Sequence, residues 1–256
     1  MPEVQNVKIA SFQLNDNVSY GVFADKELIL IEGDIFGEFV VTDTRISFDD
    51  IKILPPVIPS KAVCVGLNYH DHIEETNAQV PESPVLFIKP STAVIGHMDD
   101  IKYPELSKQV DYEGELAVVI SKTARNVSVN EAKEYILGYT CSDDVTARDL
   151  QPADGQWTIA KSFDTFLPLG PCLETELDPL NLEIRTYLND ELKQSSNTCH
   201  MIFDPYTLVS FVSQIMTLLP GDVILTGTPS GVGPMKKGDK VIVEIENIGS
   251  IINYVK

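Results

Sequence analysis

The run DYEGELAVVIS, Asp111 to Ser121, restricts the possible folds of this chain more than any other segment. Side chains alternate between the two faces of a strand. Leu116, Val118 and Ile120 therefore share one face, and Glu113, Glu115, Ala117 and Val119 share the other. A strand this apolar belongs inside a sheet, yet it carries two carboxylates roughly 7 Å apart along one face. Two readings fit. In the first, that face is buried and a divalent cation relieves the repulsion, because hard oxygen ligands suit Mg²⁺, Mn²⁺ or Ca²⁺. In the second, the glutamates are ordinary side chains on a solvent-facing edge.

Other strand-like runs surround this one. VKIASFQ, SYGVFA and ELILIEG open the chain, rich in β-branched and aromatic residues and separated by turn residues. LPPVIPSK, Leu54 to Lys61, has too many prolines for a regular helix or a central strand and reads as a linker. Beyond it, AVCVG and PVLFIKP predict strands on either side of a polar loop, NYHDH. GYTCSDDV predicts a strand, and LEIRTYLNDELKQ a hairpin turning at Asn189-Asp190. DVILTGTP and KVIVEIENIGSIINYV predict the last strands. NEAKEYILGY predicts a helix start capped by Ser128 and Glu131. DPYTLVSFVSQIMTLLPGD predicts a helix from Pro205 to Pro220-Gly221. Strands dominate without βαβ alternation, which predicts a β-rich α+β fold, and nucleotide-binding glycine motifs are missing.

Several function classes are excluded by composition. The formal net charge of −19 opposes binding to nucleic acid. The apolar stretches fall short of the roughly 20 residues that span a bilayer, so no membrane association is expected. MPEVQNVKIASFQLND lacks a basic start and apolar core, which predicts no secretory signal. Cys64, Cys141, Cys172 and Cys199 have no C-x-x-C spacing and read as reduced thiols of a cytoplasmic protein.

Four further segments carry chemistry. In CSDDVTARDLQ a strand ends in Asp143-Asp144, where a third carboxylate can reach a site, and Arg148 can clamp a carboxylate; helix capping and a surface Arg148–Asp149 pair are the plainer reading. In NYHDHIEE, His72 and Glu75 share a face on one helical turn, suiting a general base, unless the segment is simply an exposed polar loop. Lys161 lies in a partly apolar segment, where a lysine is costly unless it is paired or snorkels to solvent. ILTGTPSGVGP offers backbone N–H groups and the hydroxyls of Thr226 and Thr228 for an anion, or is a structural turn. The proline-broken segment Tyr69 to Pro84, with little to anchor it, predicts a mobile lid.

The order GLNYHDHIEE, FIKPSTAVIG, DYEGELAVVI, SDDVTARDLQ, AKSFDTFLPLGP, MIF, ILTGTPSGVGP resembles the fumarylacetoacetate hydrolase family from about residue 60 onward. The resemblance implies a mixed-sheet β-sandwich roll at 58–256 behind a small β-rich domain at 1–57. It implies metal ligands at Glu113, Glu115 and Asp144, holding Mg²⁺ or Mn²⁺. It implies a catalytic dyad at His72 and Glu75, a catalytic lysine at Lys161, and carboxylate-binding positions at Arg148, Gln151 and Thr228. The implied substrate is a small 2-oxo or 2-hydroxy-dienoic acid reacting through a metal-stabilised enolate, and the implied assembly is a homodimer. Acylpyruvate hydrolysis and oxaloacetate decarboxylation are the leading activities. Isomerisation of 2-hydroxyhepta-2,4-diene-1,7-dioate is an alternative, as is a metal-binding module without catalysis. One departure is visible: many bacterial members read G-L-N-Y-R-D-H, and this chain has His70 in place of the arginine.

Overall fold

The computed structural model describes residues 7–153 and 155–256. Residues 1–6, which open both the stretch read for a signal and the N-terminal domain, lie outside the described residues, as does Asp154. The architecture is β-rich, with short helices and mixed sheets, as the strand-dominated pattern predicts. Strand Gly114–Ile120 runs antiparallel to Ile136–Asp143 on one side and to Val223–Leu225 on the other. The same sheet continues through Leu167–Glu174 to the N-terminal strands and, in the other direction, through Ala62–Gly66 to Val85–Lys89. Val223–Leu225 and Ala62–Gly66 pair in parallel, which makes the sheet mixed. A five-stranded sheet is built on the hairpin Glu183–Leu188 and Glu191–Asn197 with Lys240–Ile245 and Gly249–Val255. Asn189 and Asp190 both have positive φ, which the two-residue hairpin turn needs.

The alternation along Gly114–Ile120 sorts into two cores. Leu116, Val118 and Ile120 pack with Ile184, Val243 and Ile251 of the five-stranded sheet and with Leu208, Val209 and Val212 of helix Pro205–Ile215. Ala117 and Val119 pack on the opposite face with Ala62, Cys64 and Leu225, and with Ile9, Val22 and Ile31. Strands distant in the order of one sheet thus share one cluster, so the sheet curls into a roll. Each fully buried aliphatic side chain contributes about 1.5–3 kcal/mol to this packing.

Three elements differ from the sequence expectation. NYHDH begins a helix, His70–Thr76, rather than a loop; Tyr69 and Ile73 are buried beneath it, and Tyr69 bridges to Met201. The first half of the expected lid is therefore anchored by apolar burial. Ser128 and Glu131 make the expected side-chain contact, 2.5 Å between Ser128 Oγ and Glu131 Oε2, but only the 3-10 turn Ala132–Tyr135 follows. Strand Ile136–Asp143 takes over at once because its residues are needed in the sheet. Helix Pro205–Ile215 stops short of Pro220, since Met216 turns extended and Leu218 pairs with Ala124. Among the described residues no helix is long and apolar enough to cross a membrane.

Asp222 ties the proline-rich segment to the roll. Its Oδ1 accepts from Ser60 N at 3.1 Å and Ser60 Oγ at 2.6 Å, and its Oδ2 accepts from Leu219 N at 2.8 Å and pairs with Lys61. Burial opposes the charge, but the Lys61 and Ser60 bonds hold its carboxyl below the ordinary 3.8. A lowered folded value stabilises the fold above the unfolded value, and that stabilisation disappears as pH falls through the folded one. Asp222→Ala should therefore destabilise the protein by about 3 kcal/mol at pH 7. Urea melts should show the wild-type advantage shrinking below about pH 4; a pH-independent difference would contradict the account.

Candidate metal centre and active site

Glu113 interrupts the strand pattern. It lies between Val110–Tyr112, which joins a three-stranded sheet with Thr146–Ala147 and Gly233–Met235, and Gly114–Ile120 of the main sheet. The two sheets part at this residue. Its N–H donates to Asp143 Oδ1 at 2.7 Å, and its carbonyl accepts from Asp144 N at 2.8 Å. Glu115 sits opposite Ser142, so Asp144, two residues on, reaches the same face. Gly114 is constrained on the other face, where a Cβ would stand 2.1 Å from Thr186 Oγ1. Gln194 closes the joint by accepting from Gly114 N at 2.9 Å and donating to Thr228 Oγ1 at 2.8 Å.

Glu113, Glu115 and Asp144 each place a carboxylate oxygen within 4.8 Å of the others. They are 6 %, 2 % and 1 % exposed, which rejects the solvent-facing reading of the two glutamates. Lys161 is buried between them, with Nζ 2.8 Å from Glu113 Oε2 and 2.6 Å from Asp144 Oδ2. Lys89, fully buried, donates to the carbonyls of Val145 at 2.9 Å and Phe166 at 2.5 Å, and lies 2.7 Å from Asp144 Oδ1. Arg148 donates to Asp111 Oδ2 at 2.7 Å, to Gln151 Oε1 at 2.6 Å, and to Glu113 Oε1.

Five carboxyl groups, Asp111, Glu113, Glu115, Asp143 and Asp144, thus surround three cations. Fully ionised, the group is two positive charges short. Burial opposes the Glu113 charge, but Lys161 and Arg148 hold its carboxyl at about 2. Burial, then the Asp144 and Glu113 charges, push Glu115 well above the carboxylate range. Burial likewise raises Asp143 to about 7. Burial works against Lys161 too, yet Asp144 and Glu113 hold its ammonium above the ordinary value. Asp144 Oδ1 is buried without an aligned hydrogen-bond donor. Missing charge, three converging hard oxygens and an incompletely satisfied oxygen fit one divalent cation.

The triad opens into a cavity of about 330 Å³ lined also by His72, Arg148, Gln151, Lys161, Thr228, Phe87 and Trp157. Eight of the nine residues singled out in the sequence line it. The ninth, Glu75, lies beside it, its Oε2 3.5 Å from His72 Nδ1, and that nitrogen makes no aligned hydrogen bond. Both Glu75 oxygens accept from Gly231 N. Two N–H groups of the glycine loop point to the protein, Gly227 N to Glu115 Oε2 at 2.7 Å and Gly231 N to Glu75. Asn68 holds the loop and the His70–Thr76 helix together through Thr226 O at 2.7 Å and Phe203 N and O at 2.9 Å. Gly227 has φ +97°, and a Cβ there would meet Asn68 at 2.8 Å.

Sequence reasoning missed Lys89 and Asp111, and of the pair Asp143-Asp144 it gave a site role only to Asp144. Lys89 had a usable signal: it ends the apolar strand Val85–Lys89, and the cost of burying an unpaired lysine, applied to Lys161, applies equally there.

Residues 61–256 match the model of the fumarylacetoacetate hydrolase C-terminal family. The chain belongs to that family. Residues 7–56 match an N-terminal family described as Rv2993c-like. The mitochondrial oxaloacetate tautomerase Fahd2a of Rattus norvegicus is 48 % identical over 217 residues, covering 80 % of this chain and 69 % of that protein. The crystal structure of 2-hydroxyhepta-2,4-diene-1,7-dioate isomerase from Mycobacterium marinum superposes with TM-score 0.90 at 41 % identity, covering 97 % of this chain and 98 % of the other. That of maleylpyruvate hydrolase from Sphingobium gives 0.81 at 28 % identity over 97 % and 98 %. Such family members are enzymes acting on small organic acids, and this member carries an acidic triad able to hold a metal ion.

A raised carboxyl value means that the fold favours the protonated group. That stabilisation is complete below the ordinary value and is lost as pH rises through the folded one. The metal-free protein should thus weaken as pH climbs through about 7, and an ion replacing the protons should restore it. Added Mg²⁺ or Mn²⁺ should raise the melting temperature more at pH 8 than at pH 6. Glu115→Gln and Asp144→Asn should lose the effect. An equal metal response in both variants would remove the triad as ligands.

Proposed function

We propose that this chain is a divalent-metal-dependent enzyme that shifts a proton beside the carbonyl of a small 2-oxo dicarboxylic acid, with enol–keto tautomerisation of oxaloacetate as its reaction. The observation that carries this reading is the convergence of three carboxylates, two cations and one imidazole on a single small cavity. Glu113, Glu115 and Asp144 would hold Mg²⁺ or Mn²⁺. The ion, when bound, supplies Lewis-acid stabilisation of the charge that develops on the 2-oxo oxygen.

The chain's own residues do the rest. Arg148 and Gln151 bind substrate carboxylate through hydrogen bonds, Thr228 shapes the wall beside them with its hydroxyl donated to the Gly114 carbonyl at 3.0 Å, and Lys161 adds fixed positive charge in a site lined also by Phe87 and Trp157. Phe87 and Trp157 support one another edge to face, 5.4 Å between centroids. Tautomerisation removes a proton from the C2 hydroxyl and delivers one to C3. His72, the cavity's imidazole, transfers the proton, and Glu75 stabilises its charged form. Support comes from the rat relative, which is named an oxaloacetate tautomerase.

The second reading is C–C hydrolysis of an acylpyruvate, favoured by the separation of His72 Nδ1 and Glu75 Oε2. At 3.5 Å a small movement would join them into a water-activating pair. Decarboxylation of oxaloacetate and isomerisation of a 2-hydroxy-dienoic acid need the same electron shift without that water. A homodimer, measurable by light scattering, is part of the same proposal.

A panel of oxaloacetate enol, acylpyruvates and 2-hydroxy-dienoic acids, assayed on EDTA-stripped protein with Mg²⁺ or Mn²⁺ restored, separates these reactions. Tautomerisation should return with the ion, and His72→Ala should slow it by about 10²-fold while leaving metal binding intact. Full activity in EDTA, or a wild-type rate in His72→Ala, would overturn the assignment. Oxalate, a planar mimic of the enolate, should inhibit competitively and lose its affinity when the ion is stripped.

A further inference from the structure

Glu113 belongs to two sets of contacts that compete for one carboxylate. It is one corner of the acidic triad, with its carboxylate among the three oxygens that lie within 4.8 Å of one another. It is also the anion on which both cavity cations close. Its Oε1 accepts from Arg148 Nη2 and, at 3.0 Å, from Thr146 Oγ1; its Oε2 accepts from Lys161 Nζ at 2.8 Å. An ion held by the triad needs a lone pair from this carboxylate and is repelled by the two cations that already occupy it. A substrate carboxylate needs Arg148 and Lys161, and is repelled by Glu113.

The surroundings of Arg148 show which bond can yield. Its Nε is fixed on Asp111, a buried carboxylate that also accepts from Gln109 Nε2 at 3.0 Å. Its Nη1 is fixed on Gln151. Only the Nη2 bond goes to the triad. If that bond breaks, the guanidinium keeps its place and presents a free edge to the cavity. Glu113 likewise keeps a neutral neighbour, the Thr146 hydroxyl, whose one proton is shared between Glu113 Oε1 at 3.0 Å and the Asp144 carbonyl at 2.8 Å.

We propose that Glu113 is the internal counter-ion of Arg148 and Lys161, and that metal and substrate binding are coupled through its release from them. In the empty site Glu113 pairs with both cations, sharing Lys161 with Asp144 and Arg148 with Asp111, and is thereby held back from the ion. When Glu113 turns to the ion, the acid's carboxylate takes over as the partner of Arg148 and Lys161. Each ligand removes the competitor of the other, so each strengthens the other beyond any direct contact between them, and reciprocity makes the two effects equal. Arg148 then opposes metal binding whenever the acid is absent, although it belongs to the same site. This inference rests on the metal-centre reading above.

The test is calorimetric titration of Mn²⁺ into EDTA-stripped protein with no acid present. Arg148→Met and Arg148→Gln should each bind Mn²⁺ about fivefold or more tightly than wild type. Gln can keep the hydrogen bonds to Asp111 and Gln151 if Met disturbs them, and melting in EDTA reports whether each variant folds. Thr146→Val, which loosens Glu113 without removing charge, should bind no more tightly than wild type. Unchanged or weaker binding in both Arg148 variants, or equal tightening in Thr146→Val, overturns the coupling. Glu115→Gln separates this from the underlying reading: if wild type binds no Mn²⁺, or Glu115→Gln binds it undiminished, the metal centre falls and the coupling falls with it. If wild type binds and Glu115→Gln does not, failure of the Arg148 variants removes the coupling alone.

Discussion

Five carboxyl groups share a region with three cations, and most of the structure around them serves to keep that imbalance in place. Buried charge is tolerated only when it is paired and hydrogen-bonded. Glu113 and Asp144 satisfy this condition through Lys161, and Arg148 satisfies it for Asp111. Glu115 has only Gly227 N as a close donor among the hydrogen bonds seen, and Asp143 only Glu113 N, and these are the two groups that burial pushes toward the protonated form. The centre is therefore tuned to a charge of +2, supplied by protons or by an ion. A site with enough cations of its own would have no use for either.

The scaffold makes this possible by splitting a strand. Downstream of Glu115, the strand is apolar on both faces and bears two cores, one against the five-stranded sheet and one inside the roll. Upstream of it, Val110–Tyr112 leaves for another sheet. The glutamates sit at the fork, where one carboxylate can be aimed into a gap without opening the core behind it. Gly114 and Gln194 hold the fork closed, the first by lacking a side chain where Thr186 stands, the second by bonding Gly114 N and Thr228. Flexibility at this joint would separate the triad by more than the few ångströms that coordination tolerates.

The parts legible in the sequence were those governed by local periodicity. The two faces of Leu116–Ile120, the Asn189-Asp190 turn and the β-rich class follow from alternation and turn chemistry alone. The triad was legible because alternation places Glu113 and Glu115 on one face and because the order of motifs resembles a known family. What escaped was set by tertiary contact. The place of Lys89 at the end of an apolar strand hints at its burial, but the carbonyls of Val145 and Phe166 that receive its bonds lie far along the chain, where only the fold brings them. The helix at His70–Thr76 forms because Tyr69 and Ile73 find apolar cover, which overrides the polar character of the segment. Helix Pro205–Ile215 ends early because Leu218 is claimed by a bridge to Ala124, a contact 94 residues away in the chain.

The same charge arrangement accounts for how a chain of net charge −19 can hold an acid at all. That charge is spread over the surface and is screened beyond about 8 Å at physiological salt. It slows the approach of an anion but has little hold on one already inside. Within the cavity the relevant partners are Arg148 and Lys161, which line it, and Glu113, Glu115 and Asp144 would add the charge of an ion held there. His70, which stands where many bacterial family members have arginine, is exposed and lies outside the cavity lining. A space of about 330 Å³ with cations on one wall and Phe87, Trp157 and Val232 among the others suits the short acid of the proposed function, with its carboxylate taken to Arg148 and its carbonyl to the triad in that proposal.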